Sequence, residues 1–218
     1  MTTVQPARRE QILSEAARLF ARKGVAATTV REIGDAVGLL SGSLYHYFDS
    51  KESMVDEILS SYLNNLLASY EEVDARNPED PRASLEGHMR ASFRAMEEHR
   101  DAAEIFHNDF NYLTAQPRFA YLKQTNDRIQ HAGLDVIRGG VKSGVFRGDI
   151  DPELFYRFAR DAMWLSVRWF RPGGKYSVEQ LADAYIAICM EGFALDGRAP
   201  APRRRGTPAK QPLDRQRR

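Results

Sequence analysis

The sequence contains a single cysteine, Cys189, among its 218 residues. One thiol excludes an internal disulfide and any zinc cluster built from several cysteines. Long apolar runs are also missing: the longest, Ala184–Met190, has seven residues, whereas a membrane-spanning helix needs about 20. Residues 1–10 hold no apolar segment of the kind that a signal peptide needs. These absences predict a cytoplasmic protein that does not enter a membrane.

The charge of the chain is nearly balanced, at +1 overall, but it is unevenly distributed. Residues 1–55 carry +1 and residues 196–218 carry +6, which leaves −6 for residues 56–195. An acidic body is a poor surface for nucleic acid. Any DNA-binding part is therefore expected at an end of the chain.

Helical periodicity runs through most of the sequence, whereas the alternation typical of strands is not sustained anywhere. Glycine and proline separate the periodic segments. The pattern predicts an all-α protein of about nine helices, at about 8–23, 29–36, 42–48, 51–76, 82–99, 101–114, 118–143, 152–171 and 178–195. The three short helices come first and a larger bundle follows. The last 21 residues, 198–218, are basic and rich in proline, so this tail is expected to be disordered.

The segment from Thr29 to Phe48 has the spacing of a helix-turn-helix motif. Thr29 followed by Glu32 predicts a capping box for the first of the two helices. The second helix is predicted over Gly42–Phe48 with Ser41 as its cap. Its small, polar start suits a major groove about 12 Å wide, and phosphates favour the N-terminus of a helix.

The first 55 residues resemble the TetR family of bacterial transcription regulators. The resemblance lies in Gly24, Ala27–Ile33, Gly38, Ser41–Phe48 and Ser50–Glu52, in that order and spacing. It implies a nine-helix homodimer that binds a palindromic DNA operator with its first three helices and joins through its last two. It also implies an effector pocket in each C-terminal domain. No catalytic activity, cofactor or metal is expected. The expected DNA contacts, with Lys51 on a phosphate, are Thr28, Thr29, Arg31, Ser41, Gly42, Ser43, Tyr45, His46, Tyr47 and Lys51.

The domain boundaries follow from the same match. Residues 1–7 are expected to form an N-terminal arm and residues 8–54 the helix-turn-helix domain. Residues 55–197 are expected to form the domain for ligand binding and dimerisation, and residues 198–218 the basic tail.

The predicted helix over 152–171 carries a stripe of arginines around a tryptophan. At about 100° per residue, the stripe occupies an arc of about 80° and extends roughly 21 Å along the axis. Its members are Arg157, Arg160, Trp164, Arg168 and Arg171. Guanidinium groups bind phosphates and stack on flat rings, so the stripe suits a coenzyme A (CoA) thioester. The simpler interpretation is an amphipathic helix with a solvated arginine face.

An apolar wall for such a ligand is expected from aromatic residues on the preceding helices. These are Phe106, Phe110, Tyr112, Phe119 and Tyr121. Ordinary core packing is the competing interpretation of each of them.

A narrower resemblance covers about Arg8–Gly197, carried by segments such as Gln116–Phe119 and Arg171–Gly174. It points to the branch of the family that represses late cholesterol-ring catabolism. The effector that this resemblance implies is the CoA thioester of a two-ring indanedione propanoate, held by Arg160, Trp164 and Arg168. A fatty acyl-CoA or an apolar drug remains an alternative effector.

Catalytic constellations are not recognisable in the sequence. Gly139 and Gly144 have the spacing of a phosphate-binding loop, but Val145 and Phe146 stand where lysine and a hydroxyl residue are needed. The histidines are scattered, and His107 has only Asp109 nearby as a further metal ligand. The sequence therefore predicts a regulator without metal, and not an enzyme.

Overall fold

The computed structural model describes residues 4–193, and side chains within residues 6–191. Over this range the chain forms nine α-helices and no β-strand, which confirms the predicted fold class. The helices are α1 (Val4–Lys23), α2 (Val30–Val37), α3 (Ser41–Leu44), α4 (Lys51–Arg76), α5 (Pro81–Glu98), α6 (Arg100–Thr114), α7 (Tyr121–Lys142), α8 (Pro152–Leu165) and α9 (Val178–Phe193). The predicted tail over 198–218 lies outside the described residues.

Helix α1 begins earlier than the sequence predicts. Periodicity places its start near Arg8, but the helix already includes Val4, so four residues of the expected arm belong to α1. Residues 1–3 lie outside the described part of the chain. The segment from Val4 to Ala7 has no apolar stripe at helical spacing, so periodicity gave no signal for this end of the helix.

Helices α1–α3 form an N-terminal domain around a small apolar core. Ile12 and Phe20 of α1 pack with Ile33 of α2 and with Leu44 and Phe48. The predicted capping box is present: Thr29 Oγ1 accepts the Glu32 amide at 3.2 Å, and Glu32 Oε2 accepts the Thr29 amide at 2.9 Å. Gly38 closes α2 at φ 69°, a left-handed conformation that glycine adopts without strain.

The prediction for α3 was wrong in its length and in its cap. The α-helix ends at Leu44 and its N-cap is Leu40, with no side-chain capping bond. The chain then tightens, because the Tyr47 amide donates to the Leu44 carbonyl three residues back, at 2.9 Å. This turn places Phe48 in the core of the domain.

Helix α4 connects the N-terminal domain with the C-terminal domain, α5–α9. Its N-cap is Ser50, as predicted, paired with Ser53 in a capping box. Its buried residues run along its whole length: Met54, Val55, Leu59, Tyr62, Leu63, Leu66, Leu67 and Tyr70. One continuous core therefore extends from the N-terminal domain into the C-terminal domain. No helix among the described residues is long and apolar enough to cross a membrane.

Helix α8 is shorter than predicted, and the arginine stripe is bent as a result. The α-helix ends at Leu165, and a 3-10 turn, Ser166–Arg168, replaces its last turn. Arg100 of α6 stabilises this ending, because its guanidinium donates to the carbonyls of Val167 at 2.7 Å and Phe170 at 2.9 Å. A contact between residues so far apart in sequence could not be foreseen from helical spacing. A second short 3-10 turn, Pro117–Phe119, precedes α7.

Candidate functional site

The predicted DNA contacts differ in their exposure. Five are exposed on the surface of the protein: Thr29, Arg31, Gly42, Tyr45 and His46. Four others are half-buried: Ser41, Ser43, Tyr47 and Lys51. Thr28 is only 1% exposed, and its hydroxyl donates to the Gly24 carbonyl at 2.9 Å. Its side chain therefore stabilises the loop between α1 and α2 and does not reach the surface.

Lys51 lies beside the same loop. Its Nζ donates to the carbonyls of Val25 at 2.7 Å and Thr28 at 2.9 Å. A lysine ammonium has three N–H donors, so one donor remains for a phosphate oxygen. Lys51 thus joins the first residues of α4 to the surface that is predicted to face DNA.

Replacing Lys51 with alanine is expected to weaken binding to every DNA sequence. The slope of log affinity against log salt should fall by about one, because one phosphate contact is lost. A fluorescence-anisotropy salt titration with operator and unrelated DNA measures both effects. An unchanged slope would show that Lys51 has only the structural role seen in its carbonyl contacts.

Two residues of the helix-turn-helix motif were not identified from the sequence. Leu40 is 81% exposed at the start of α3, where side chains of this motif meet base edges. Gly34 lies so close to the turn that an added Cβ would be 2.7 Å from the Leu39 carbonyl oxygen. Close approach of two backbone segments leaves no signal in composition or periodicity, so Gly34 could be found only in the structure.

The C-terminal domain encloses an inner cavity of about 320 Å³, within the range of about 300–1,000 Å³ usual for ligand pockets. Its walls are mainly apolar and aromatic. They include Leu63, Leu66, Met89, Phe106, Phe110, Ile129, Ile137 and Phe155. The predicted ligand residues Arg160 and Trp164 also lie on this cavity. The inner cavity can therefore hold a compact apolar group.

A buried polar cluster forms another part of the inner wall. The hydroxyls of Tyr70 and Ser92 are 2.5 Å apart, and the His88 ring stacks on Tyr70 with centroids 4.0 Å apart. His88 Nε2 lies 2.9 Å from Asp74 Oδ1. Burial lowers the pKa of His88 and raises that of Tyr70, so both rings favour the neutral state. The cavity thus combines apolar walls with a few uncharged polar groups.

An outer cavity of about 580 Å³ adjoins the inner one. Three arginines lie on it, Arg100, Arg168 and Arg171, together with the acidic Glu104 and Asp161. His107, Asp161 and Trp164 belong to the walls of both cavities. We refer to these three residues as the shared wall. The site is therefore a basic outer compartment next to an apolar inner one.

Other predicted ligand residues do not line either cavity. Phe119 is fully buried in the core that α1 and α4 share, and Tyr112 is 45% exposed. Tyr121 donates through its hydroxyl to Asp56 Oδ1 at 2.7 Å. Arg157 is exposed on α8, away from the cavity linings. Of the ten predicted residues, the structure brings six to the cavities: Phe106, Phe110, Arg160, Trp164, Arg168 and Arg171.

Helix α6 links the cavities with the N-terminal domain. His107 faces the cavities, whereas Asp109, two residues later, accepts the Val25 amide at 3.2 Å. His107 and Asp109 are close in sequence, but their side chains therefore have different surroundings. Among residues 4–193 no group of three or more His, Cys, Asp or Glu side chains is arranged to hold a metal ion.

Comparison with known proteins decides the family. Residues 12–58 match the family described as bacterial regulatory proteins, tetR family, and residues 78–193 match the tetracyclin repressor-like C-terminal domain. The chain belongs to the TetR family. It is a transcription regulator and not an enzyme, as the sequence predicts. The predicted architecture of this TetR-family protein is also confirmed.

Its relatives include named repressors. It is 46% identical to the HTH-type transcriptional repressor KstR2 of Rhodococcus jostii over 193 residues, 88% of this chain and 94% of the relative. The KstR2 of Mycobacterium tuberculosis is 43% identical over 87% of this chain and 94% of its own length. A solved structure of the ketosteroid transcriptional regulator KstR2 of M. tuberculosis superposes with a TM-score of 0.82, covering 86% of this chain and 95% of that chain. The TetR-family protein is therefore similar to KstR2 repressors along nearly all of its described length.

Proposed function

We propose that this TetR-family protein represses transcription as a homodimer on a palindromic operator. We further propose that a CoA thioester of a steroid-ring degradation intermediate, in cholesterol catabolism, releases it from DNA. The observation that carries this proposal is the pair of adjoining cavities, one apolar and one lined by arginines. Similarity to the ketosteroid transcriptional regulator KstR2 of M. tuberculosis supports the same chemistry.

The division of the site matches the two halves of such a ligand. Fused rings are compact and apolar, with a few carbonyl oxygens, and they suit the inner cavity with its uncharged polar cluster. The nucleotide half of CoA is a polyanion, and Arg168 and Arg171 offer guanidinium groups that bind phosphate oxygens in pairs. An apolar drug would leave the outer compartment unused.

Release from DNA requires that the ligand prefers the conformation with low operator affinity. Helices α4 and α6 both line the inner cavity, and both reach the N-terminal domain. A ligand that moves these helices apart changes the position of α3 relative to that of the partner subunit. In the operator-bound dimer the two α3 helices must lie about 34 Å apart to enter successive major grooves. Typical allosteric couplings of about 1–3 kcal/mol per ligand are sufficient to lower operator occupancy.

Calorimetric titration of the pure protein tests the identity of the effector. The CoA thioester of the two-ring indanedione propanoate is compared with palmitoyl-CoA, free CoA and the free acid. The proposal expects micromolar or tighter binding of the first thioester alone. Equal binding of palmitoyl-CoA would indicate a fatty-acid regulator, and absence of binding by every thioester would refute the proposal.

The proposed homodimer has a candidate interface on α8 and α9. Large apolar side chains are exposed along these helices and the turn that follows α8: Leu154 (48%), Phe158 (69%), Leu165 (54%), Trp169 (58%) and Ile188 (74%). Exposed apolar surface of this extent is typical of protein interfaces. Packing this face on the same face of a second copy gives the two-fold, four-helix interface that the family resemblance implies.

Replacing Ile188 with aspartate is expected to convert the dimer into a monomer. If the interface covers Ile188, the substitution buries a carboxylate without a partner there, which costs several kcal/mol. Light scattering after size exclusion measures the mass, and operator affinity should fall because each monomer reads one half-site. Tyr112→Asp is the matched control, since Tyr112 is exposed on α6 and not on this face. A dimeric Ile188→Asp variant would place the interface elsewhere.

A further inference from the structure

His107 occupies an unusual position between the two cavities. It lies on α6, in the shared wall, with its ring centroid 4.5 Å from that of Trp164. More than a third of the residue remains accessible, and this surface faces the cavities. A ligand that fills both cavities must pass beside the His107 ring.

The ring is uncharged at neutral pH. Burial lowers the pKa of His107 to about 4, and the positive charges of Arg160 and Arg168 add to this effect, while Asp161 opposes it. A neutral imidazole carries one N–H donor and one acceptor nitrogen. Among the described residues, neither ring nitrogen has a protein hydrogen-bond partner. A polar group of a ligand can therefore satisfy this donor.

The chemistry of the shared wall indicates which ligand group lies there. In an acyl-CoA the thioester joins the apolar acyl part to the polyanionic CoA part. If the acyl part occupies the inner cavity and the nucleotide the outer one, the thioester stands at the wall between them. Its carbonyl oxygen is a neutral acceptor in a partly desolvated place, where an unpaired polar group is costly.

We propose that His107 donates a hydrogen bond to the thioester carbonyl of the effector and thereby selects a thioester over other linkages to CoA. This inference rests on the proposed function, because it requires a CoA derivative as ligand. It assigns His107 a role in ligand specificity that the sequence did not suggest. The contact also places the bound carbonyl beside Trp164. His107 itself lies two residues before Asp109, which accepts a hydrogen bond from the Val25 amide of the N-terminal domain.

The test compares two ligands that differ only at the carbonyl. The first is the CoA thioester of the indanedione propanoate, and the second is its thioether analogue, in which a methylene replaces the thioester carbonyl. Calorimetry gives the Kd of each for the unaltered protein, His107→Leu and His107→Gln. Leucine removes the donor at similar size, whereas glutamine restores an N–H donor. Operator binding of each variant, measured without ligand, verifies that the protein is folded.

His107→Leu should raise the Kd of the thioester about tenfold, as expected for one lost hydrogen bond. The Kd of the thioether should stay unchanged, and His107→Gln should recover most of the thioester affinity. Equal weakening of both ligands by His107→Leu would assign the ring a packing role beside Trp164 and overturn the inference. Equal affinity of the unaltered protein for thioester and thioether would also overturn it while leaving the proposed function intact. Absence of binding by both ligands would refute the proposed function and this inference together.

Discussion

Replacing Gly34 with alanine is expected to weaken specific operator binding strongly while effector binding persists. The added methyl group would lie 2.7 Å from the Leu39 carbonyl oxygen and 3.5 Å from the Ser41 amide nitrogen. Gly34 also accepts the Leu39 amide at 2.8 Å, so the two segments cannot separate without breaking the turn. Overpacking of this kind costs about 1–3 kcal/mol. The operator Kd should rise about 100-fold, because α3 no longer has its fixed orientation.

Gly139→Ala is the matched control for Gly34→Ala. Gly139 lies inside α7, and no atom lies within 4 Å of the position of an added Cβ. Alanine there should leave operator binding unchanged and raise stability slightly, since alanine favours helix. Operator anisotropy and thermal unfolding by circular dichroism measure both variants. A Gly34→Ala protein with normal operator affinity would show that the close approach in the turn is not needed for DNA recognition.

Replacing Trp164 with alanine is expected to remove the response to the effector without preventing DNA binding. The indole lies in the shared wall and packs against His107 and Tyr62, the latter at 6.3 Å between ring centroids. Trp164 is half-buried, and truncating a tryptophan at the centre of a binding site costs about 2–4 kcal/mol of binding free energy, which is a loss of effector affinity of about 30- to 1,000-fold. Calorimetry with the thioester measures this loss, and operator anisotropy without ligand verifies that the domain is intact.

Tyr112→Ala is the control for Trp164→Ala. Tyr112 is also an aromatic residue of the predicted ligand set, but its side chain is 45% exposed and lies away from both cavities. Its truncation should leave effector affinity unchanged. A large loss in Tyr112→Ala, or normal effector affinity in Trp164→Ala, would place the ligand outside the cavities described above.

The sequence predicted those parts of the fold that local interactions determine. The capping box of Thr29 and Glu32 and the start of α4 after Ser50 depend on neighbours within a few residues. Each of these signals placed a helix end to within a residue or two. The order of the helices and the family resemblance followed from the same local patterns.

The parts that depend on distant residues could not be predicted. The arginine stripe was drawn on an uninterrupted helix, but α8 ends at Leu165 and a 3-10 turn carries Arg168, while Arg157 is exposed away from the cavities. Phe119 and Phe106 are both phenylalanines in predicted helical segments, so the sequence does not distinguish their roles. In the structure Phe119 lies in the core, whereas Phe106 lines the inner cavity. His107 was one of several scattered histidines, and only the tertiary fold places it in the shared wall.

Helix α6 explains how an effector signal can reach the DNA-binding surface. Phe106, His107 and Phe110 line the inner cavity, while Asp109 on the same turns contacts the Val25 amide. Burial raises the pKa of Asp109, and the nearby Lys51 ammonium opposes this shift. A displacement of α6 by the ligand would therefore reach the loop between α1 and α2. This loop contains Thr28, and its carbonyls accept hydrogen bonds from Lys51 of α4.

The central claim is that one CoA thioester binds the site and lowers operator affinity. A direct measurement uses an operator that the protein selects from random DNA, with fluorescence anisotropy in the presence of saturating indanedione-propanoyl-CoA. The account predicts that the operator Kd rises about 5- to 150-fold, and that free CoA and the free acid leave it unchanged. An operator Kd that stays constant or falls, under conditions in which calorimetry shows the thioester bound, would contradict the account.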